Sequence, residues 1–242
     1  VKSWLCFFLV LPCLAQADGT HWVTESFDQG QGTPARHVIW SSVGNGKIDI
    51  VNDPVLGNGN AFKGNKIVGI LPFATLTAPG DSITVKFDFR LAGPITDSDH
   101  GFKLGLFEGG DPNDPWFYAS GTGYRWNLSS GRYPIPVSLV KESGGQGQKI
   151  LSGNDSNVIN QSSASYSLND TAKHSAIIIL KETDNGLSLS LAIDGGKFVF
   201  QGTDLLPPST LSPTRFAIRS DANTFLLDDF AVDIKLASNP SP

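Results

Sequence analysis

The chain has 242 residues, with 18 Lys and Arg against 23 Asp and Glu, for a formal net charge of −5. A weakly charged, acidic surface of this kind disfavours nucleic acid and anionic membranes as partners. The length is enough for a core of its own, and only 2 cysteines are present.

The opening VKSWLCFFLVLPCLAQADGT places Lys2 before an apolar run from Trp4 to Leu14, then Ala15-Gln16-Ala17. That layout predicts a secretory signal peptide, residues 1–17, cleaved near Ala17, because the run is too short to span a bilayer. Both cysteines, Cys6 and Cys13, fall inside it. The mature chain is then exported without a thiol or a disulfide, and its stability has to come from a core. No second apolar segment is long enough for membrane insertion.

From residue 18 onward the dominant pattern is alternation. ESFDQG reads as an opening strand. SITVKFDFRLAG sets Ile83, Val85, Phe87, Phe89 and Leu91 on one face and Thr84, Lys86, Asp88 and Arg90 on the other. FKLGLF sets Phe102, Leu104 and Leu106 against Lys103, Gly105 and Phe107. A period of two marks half-buried antiparallel strands. Residues 109–126, GGDPNDPWFYASGTGYRW, crowd five aromatic rings into a segment broken by Gly, Pro and Asp. Such a segment reads as a loop, whose backbone needs water, so its rings are expected at the surface or plugging an end of the fold. Residues 141–170 are polar and turn-prone, an excursion with one short strand around Lys149-Ile150-Leu151. The stretch from His174 to Gly202 holds three strand-like runs joined by Asp184-Asn185-Gly186 and Asp194-Gly195-Gly196, which are hairpin turns. RFAIRSDA and FLLDDFAVDIKL add two more strands, and residues 237–242 form a frayed tail.

The prediction is one all-β domain over residues 18–236, a two-sheet antiparallel β-sandwich of jelly-roll type. The order of elements, with the TDNG and IDGG hairpins and the closing FLLDDFAVDI strand, resembles the concanavalin A-like lectin/glucanase superfamily in its laminin-G-like variants. That resemblance implies a ligand lying across one sheet or its rim loops. It also implies, for glucanase members, a Glu-x-Asp-x-x-Glu strand motif, which sets paired carboxylates on one face. The motif is missing here: Glu25, Glu108, Glu142 and Glu182 are the only glutamates, and no two are neighbours.

The sequence therefore favours a secreted, non-catalytic, lectin-like module for an extracellular polysaccharide or glycan. A polysaccharide lyase or glycoside hydrolase on the same scaffold is the alternative, and a protein-interaction module the third reading. The expected ligand-binding residues are Asp114, Trp116, Tyr118, Tyr124, Arg125 and Trp126, since sugar C–H faces settle on rings and sugar hydroxyls need directional partners. Core packing competes with ligand contact for each ring. A second candidate patch is Lys86, Asp88, Arg90 and Lys103, against which stands an ordinary outer face of paired charges. Asp111, Asn113 and Asp114 are explained by Asx-turns before proline without a metal. The resemblance implies that Asp228 holds a structural calcium; a buried carboxylate bonded to backbone amides is the rival. His21, His37, His100 and His174 lack any zinc spacing.

Overall fold

The computed structural model describes residues 20–25, 27, 38–42, 47–57, 59–71, 75–93, 101–109, 121–130, 135–144, 151, 156–208, 211–221 and 224–237. In chain order the first strands are β1 (Thr20–Glu25), β2 (Ile39–Ser42), β3 (Ile48–Asn52), β4 (Asn60–Gly64) and β5 (Lys66–Ile70). The long central strands follow: β6 (Ser82–Ala92), β7 (Gly101–Glu108), β8 (Thr122–Ser129), β9 (Pro136–Ser143) and β10 (Ser156–Ser165). The chain closes with β11 (His174–Thr183), β12 (Gly186–Ile193), β13 (Phe198–Asp204), β14 (Arg215–Ser220) and β15 (Thr224–Lys235).

These strands form two antiparallel sheets. One has eight strands in the order β13-β12-β11-β6-β15-β4-β3, with β1 also paired to β15; the other has seven, β10-β9-β8-β7-β14-β5-β2. The jelly-roll sandwich is the expected architecture. Consecutive β6 and β7 lie in different sheets, a crossing that alternation along each strand cannot reveal.

Alternation decides which side chains meet between the sheets. Ile83, Val85, Phe87, Phe89 and Leu91 of β6 are buried against Phe102, Leu104 and Leu106 of β7, in one apolar cluster with Ile178, Leu189, Phe216 and Phe230. Trp40 sits among Phe27, Phe62, Phe216 and Phe230, edge-on to Phe230 with centroids 4.9 Å apart. Edge-to-face pairs of this kind add about 0.5–1.5 kcal/mol each beyond the area they bury.

Both predicted hairpin turns are present. Gly186 has φ 120°, and a Cβ there would lie 2.3 Å from the Asp204 carbonyl oxygen, so this corner accepts only glycine without rearrangement. The second turn is a short 3-10 segment, Asp194–Gly196. Its Asp194 carboxylate contacts His174 Nδ1 at 2.9 Å and accepts the Ser175 N–H at 3.1 Å, and Asp170 meets His174 Nε2 at 3.0 Å. These contacts tie the start of β11 to the turn that ends β12.

Two expectations about local structure are corrected. Residues 122–129 are a regular strand, not loop, because Tyr124, Trp126 and Leu128 alternate with Gly123, Arg125 and Asn127 and fill the core. The polar run at 156–165 is likewise a strand, paired with β9 alone at the sheet edge, where few apolar residues are needed. Leu151, expected in a short strand, is a turn residue with φ 66°; residues 149 and 150 lie outside the described residues.

Candidate functional site

The outer face of the seven-stranded sheet divides into two parallel bands. Across the strands, Val140, Arg125, Gly105, Ala217 and Val68 stand at matched positions. All five are buried, although they point away from the sandwich core. Phe107, Val68 and Ala217 pack with Leu151 in a small apolar cluster of their own. Gly105 makes this possible: a Cβ there would lie 2.9 Å from the Phe107 ring. Glu142 pairs with Arg125 at 2.5 Å and accepts the Leu151 backbone N–H. Burial pushes the Glu142 carboxyl up and the Arg125 guanidinium down, each partly offset by the other's charge.

One residue pair along the strands, the surface opens. Gln161, Ser138, Asn127, Lys103, Arg219 and Lys66 stand at matched positions on six neighbouring strands. Five inter-strand gaps of about 4.8 Å carry this row across roughly 24 Å. Gln161 is exposed, and the Lys103 and Arg219 side chains are 23% and 26% accessible. Asn127 donates from Nδ2 to Ser138 Oγ at 2.8 Å, which leaves its buried Oδ1 without a partner among the described residues. Asp221 lies 3.6 Å from Lys103 Nζ and 2.5 Å from Arg219 Nε. The row is thus an open shelf of donors and acceptors beside a roofed band.

Next to Lys66 the chain turns from one sheet to the other at Gly64-Asn65. A cleft of about 450 Å3 opens on the far side of this corner, lined by Lys47, Asp49, Lys63, Gly64, Asn65 and Thr224. Asn65 presents a buried Oδ1 with no partner among the described residues. A second cleft, about 420 Å3, lies between the edge strands and is lined by Lys141, Asn157, Val158, Ile159, Thr203, Asp204 and Leu206. Its two charged groups, Lys141 and Asp204, are already engaged with one another. Asp204 accepts from Tyr124 Oη at 2.7 Å and from Lys141 Nζ at 2.7 Å. Burial raises the Asp204 carboxyl, but these hydrogen bonds outweigh it and hold the group below its ordinary value.

The expected site residues are dispersed. Asp114, Trp116 and Tyr118 lie outside the described residues. Tyr124 and Trp126 are buried, 1% and 0% exposed, with their rings in the core between the sheets, so neither offers a face to a ligand. The alternation that hides them was visible in GYRWNL; the run of turn residues before it pointed the other way. Arg125 does face outward, but in the roofed band. The second patch is also divided: Lys86, Asp88 and Arg90 stand on the outer face of the eight-stranded sheet, and Lys103 on the outer face of the opposite one. Nothing in the sequence singles out Gln161, Ser138, Asn127, Arg219 and Lys66, since no motif marks a row built from six separate strands.

Asp228 differs as well. Counting in twos along β15 puts it on the face of Phe230, Val232 and Ile234, but the register shifts between Asp228 and Ala231, with Asp229 at φ 48°. That bulge turns Asp228 to the outer face with Leu226, opposite Asp88. The cation there is Lys173, whose Nζ lies 2.6 Å from Asp88 Oδ2 and 2.7 Å from the Leu56 carbonyl oxygen. The hydrogen bond to Asp88 and the charges of Asp88, Asp229 and Asp228 hold Lys173 above the ordinary lysine value. Asp228 Oδ1 itself accepts the Asp229 backbone N–H at 2.9 Å, the arrangement that stood as the rival to a calcium site. Among the described residues, no cluster of three or more His, Cys, Asp or Glu is arranged to hold a metal ion.

No family model and no curated protein sequence matches the chain. Solved structures do. The carbohydrate recognition domain of Emp47p superposes with a TM-score of 0.53 at 13% identity, over 92% of this chain and 97% of that one. The chain folds as a concanavalin A-like jelly roll. Other jelly rolls that match include peanut lectin, at TM-score 0.47 and 12% identity over 90% of this chain and 100% of that one. The carbohydrate esterase of the Shiga toxin-encoding bacteriophage phi24B gives 0.49 at 11% identity, over 88% and 98%. Among the described residues of this jelly roll, no helix is long and apolar enough to cross a membrane.

Proposed function

We propose that this jelly roll is an exported, lectin-like module that binds a polysaccharide or glycan without turning it over. The observation that carries the reading is the open row from Gln161 to Lys66. A saccharide chain laid across six strands meets a hydroxyl, two carboxamides and three cations in succession, and each can bond a ring hydroxyl. Short inter-strand spacing lets neighbouring side chains grip consecutive rings. Sugars bound mainly by such exposed groups reach affinities in roughly the micromolar to millimolar range. Likeness to a carbohydrate recognition domain fits this reading. Both described carboxylates beside the row, Asp221 and Glu142, are engaged with cations, which fits binding better than proton transfer to a glycosidic oxygen.

Titration calorimetry with a panel of neutral and charged oligosaccharides tests the proposal, alongside an assay of each mixture for new reducing or unsaturated ends. Binding without new chain ends is expected. Chain cleavage, or failure of every saccharide to bind, contradicts it.

A further inference from the structure

Among the described residues, the row and its neighbours hold more positive charge than their acids neutralise. Lys103, Arg219 and Lys66 stand side by side on β7, β14 and β5, one strand spacing apart. Like charges placed directly opposite each other on a sheet destabilise it, so this arrangement is not what packing alone selects. One carboxylate, Asp221, serves both Lys103 and Arg219. Its pairing with Arg219 is close but poorly aligned, and Arg219 Nε has no hydrogen-bond partner among the described residues. No described carboxylate lies within ion-pair distance of Lys66. Arg125, in the adjoining band, adds a fourth cation, balanced by Glu142. The Lys103 ammonium is held below the ordinary lysine value by burial first; Asp221 offsets part of this, and Arg219 and Arg125 then add to it. Round the Asn65 corner, the cleft carries Lys47 and Lys63 with Asp49 between them. The chain as a whole has a net charge of −5, so these cations are gathered here against the general balance.

We infer that the saccharide taken by this face is an acidic one, whose carboxylate or sulfate groups seat on Lys66, Lys103 and Arg219. This inference rests on the carbohydrate-binding reading above and specifies its ligand class. An anionic substituent relieves the crowding of the three cations. It also accepts from the partly exposed Arg219 guanidinium, a charge-assisted bond stronger than any bond to a neutral hydroxyl. The chain's overall negative charge does not prevent this, because at physiological salt charges beyond about 8 Å are largely screened. Nucleic acid fits less well: beside the row the described rings are buried, so unstacked bases find no platform.

The test uses the full chain and matched pairs of oligosaccharides: uronate-containing chains with their carboxyl-reduced forms, and sulfated chains with their desulfated forms. At least one acidic member should bind at 0.05 M salt ten times or more tightly than its neutral partner, with affinity falling as salt is raised. Lys66→Gln and Lys103→Gln should each weaken that binding at least threefold without lowering the melting temperature, and should leave the neutral partner's binding nearly unchanged. Lys86→Gln, on the opposite face, serves as the control and should change nothing. If neutral saccharides bind as tightly as acidic ones, or both row variants bind like the wild type, the inference is overturned while the lectin reading stands. If no saccharide of either kind binds, both fall. Preferential capture of a single-stranded oligonucleotide over every acidic saccharide also overturns it.

Discussion

The two outer faces of the sandwich use charge in opposite ways. On the eight-stranded sheet, ion pairs tie loops down. Arg90 holds Asp53 through Nε at 3.1 Å to both carboxylate oxygens and through a still closer contact of its Nη2. Asp53 in turn caps the Val55 and Leu56 N–H groups, both at 3.0 Å. Lys173 links Asp88 to the Leu56 carbonyl of the same turn. Charge here is spent inside the fold. On the seven-stranded sheet, two of three adjacent cations share one carboxylate, the third, Lys66, has none within ion-pair distance among the described residues, and all three stay partly open to solvent. A face whose charges close on themselves is scaffold, and a face that leaves charge over is equipped to meet something else.

The largest effect should come from the layer between the faces. Trp126→Ala removes a fully buried indole and is expected to destabilise the fold by about 3–5 kcal/mol, read by urea denaturation. If Trp126→Ala loses binding yet keeps its stability, the ring touches ligand and the division between core and face is wrong. Next comes Asp53→Asn, expected to cost about 1–3 kcal/mol at pH 7 while saccharide binding is unchanged. Its pH dependence sharpens the point. The hydrogen bond from Arg90 holds Asp53 below its ordinary value of 3.8, against the effect of burial. Stability from that lowered pKa is present above about pH 4 and lost as pH falls through the folded value. Asp53→Asn should therefore show a flatter fall of melting temperature between pH 5 and 2. An acid limb as steep as wild type's would remove Asp53 from the scaffold. Smaller still, Asn127→Ala should move stability by about 1 kcal/mol or less, and weaken saccharide binding a few-fold in calorimetry. The smallest change is expected from Lys86→Gln, exposed on the scaffold face: within about 0.5 kcal/mol, with affinity intact.

Much of the fold was legible because alternation is enforced by burial on one side of each strand. Ile83 to Leu91 declared β6, and Phe102 to Leu106 declared β7. The turns at Gly186 and Gly195 were legible because their positive φ angles select glycine. The site was not, for three physical reasons. Pairing brings together residues far apart in sequence, and Lys66, Lys103 and Arg219 become neighbours only through β5, β14 and β7. Strand parity is also fragile: the single bulge at Asp229 turned Asp228 from the inner face to the outer one. Aromatic richness misled in a third way, because Tyr124 and Trp126 read as part of the glycine- and proline-broken segment before them. Their own spacing of two places them in a strand.

The central claim is that ligand meets the seven-stranded face and not the eight-stranded one. Backbone amide chemical shifts, followed while an acidic oligosaccharide is added to the full chain, test it most directly. The account predicts shifts concentrated at Lys66, Lys103, Asn127, Ser138 and Arg219. Shifts centred instead on Lys86, Asp88 and Arg90, with that row silent, would contradict it.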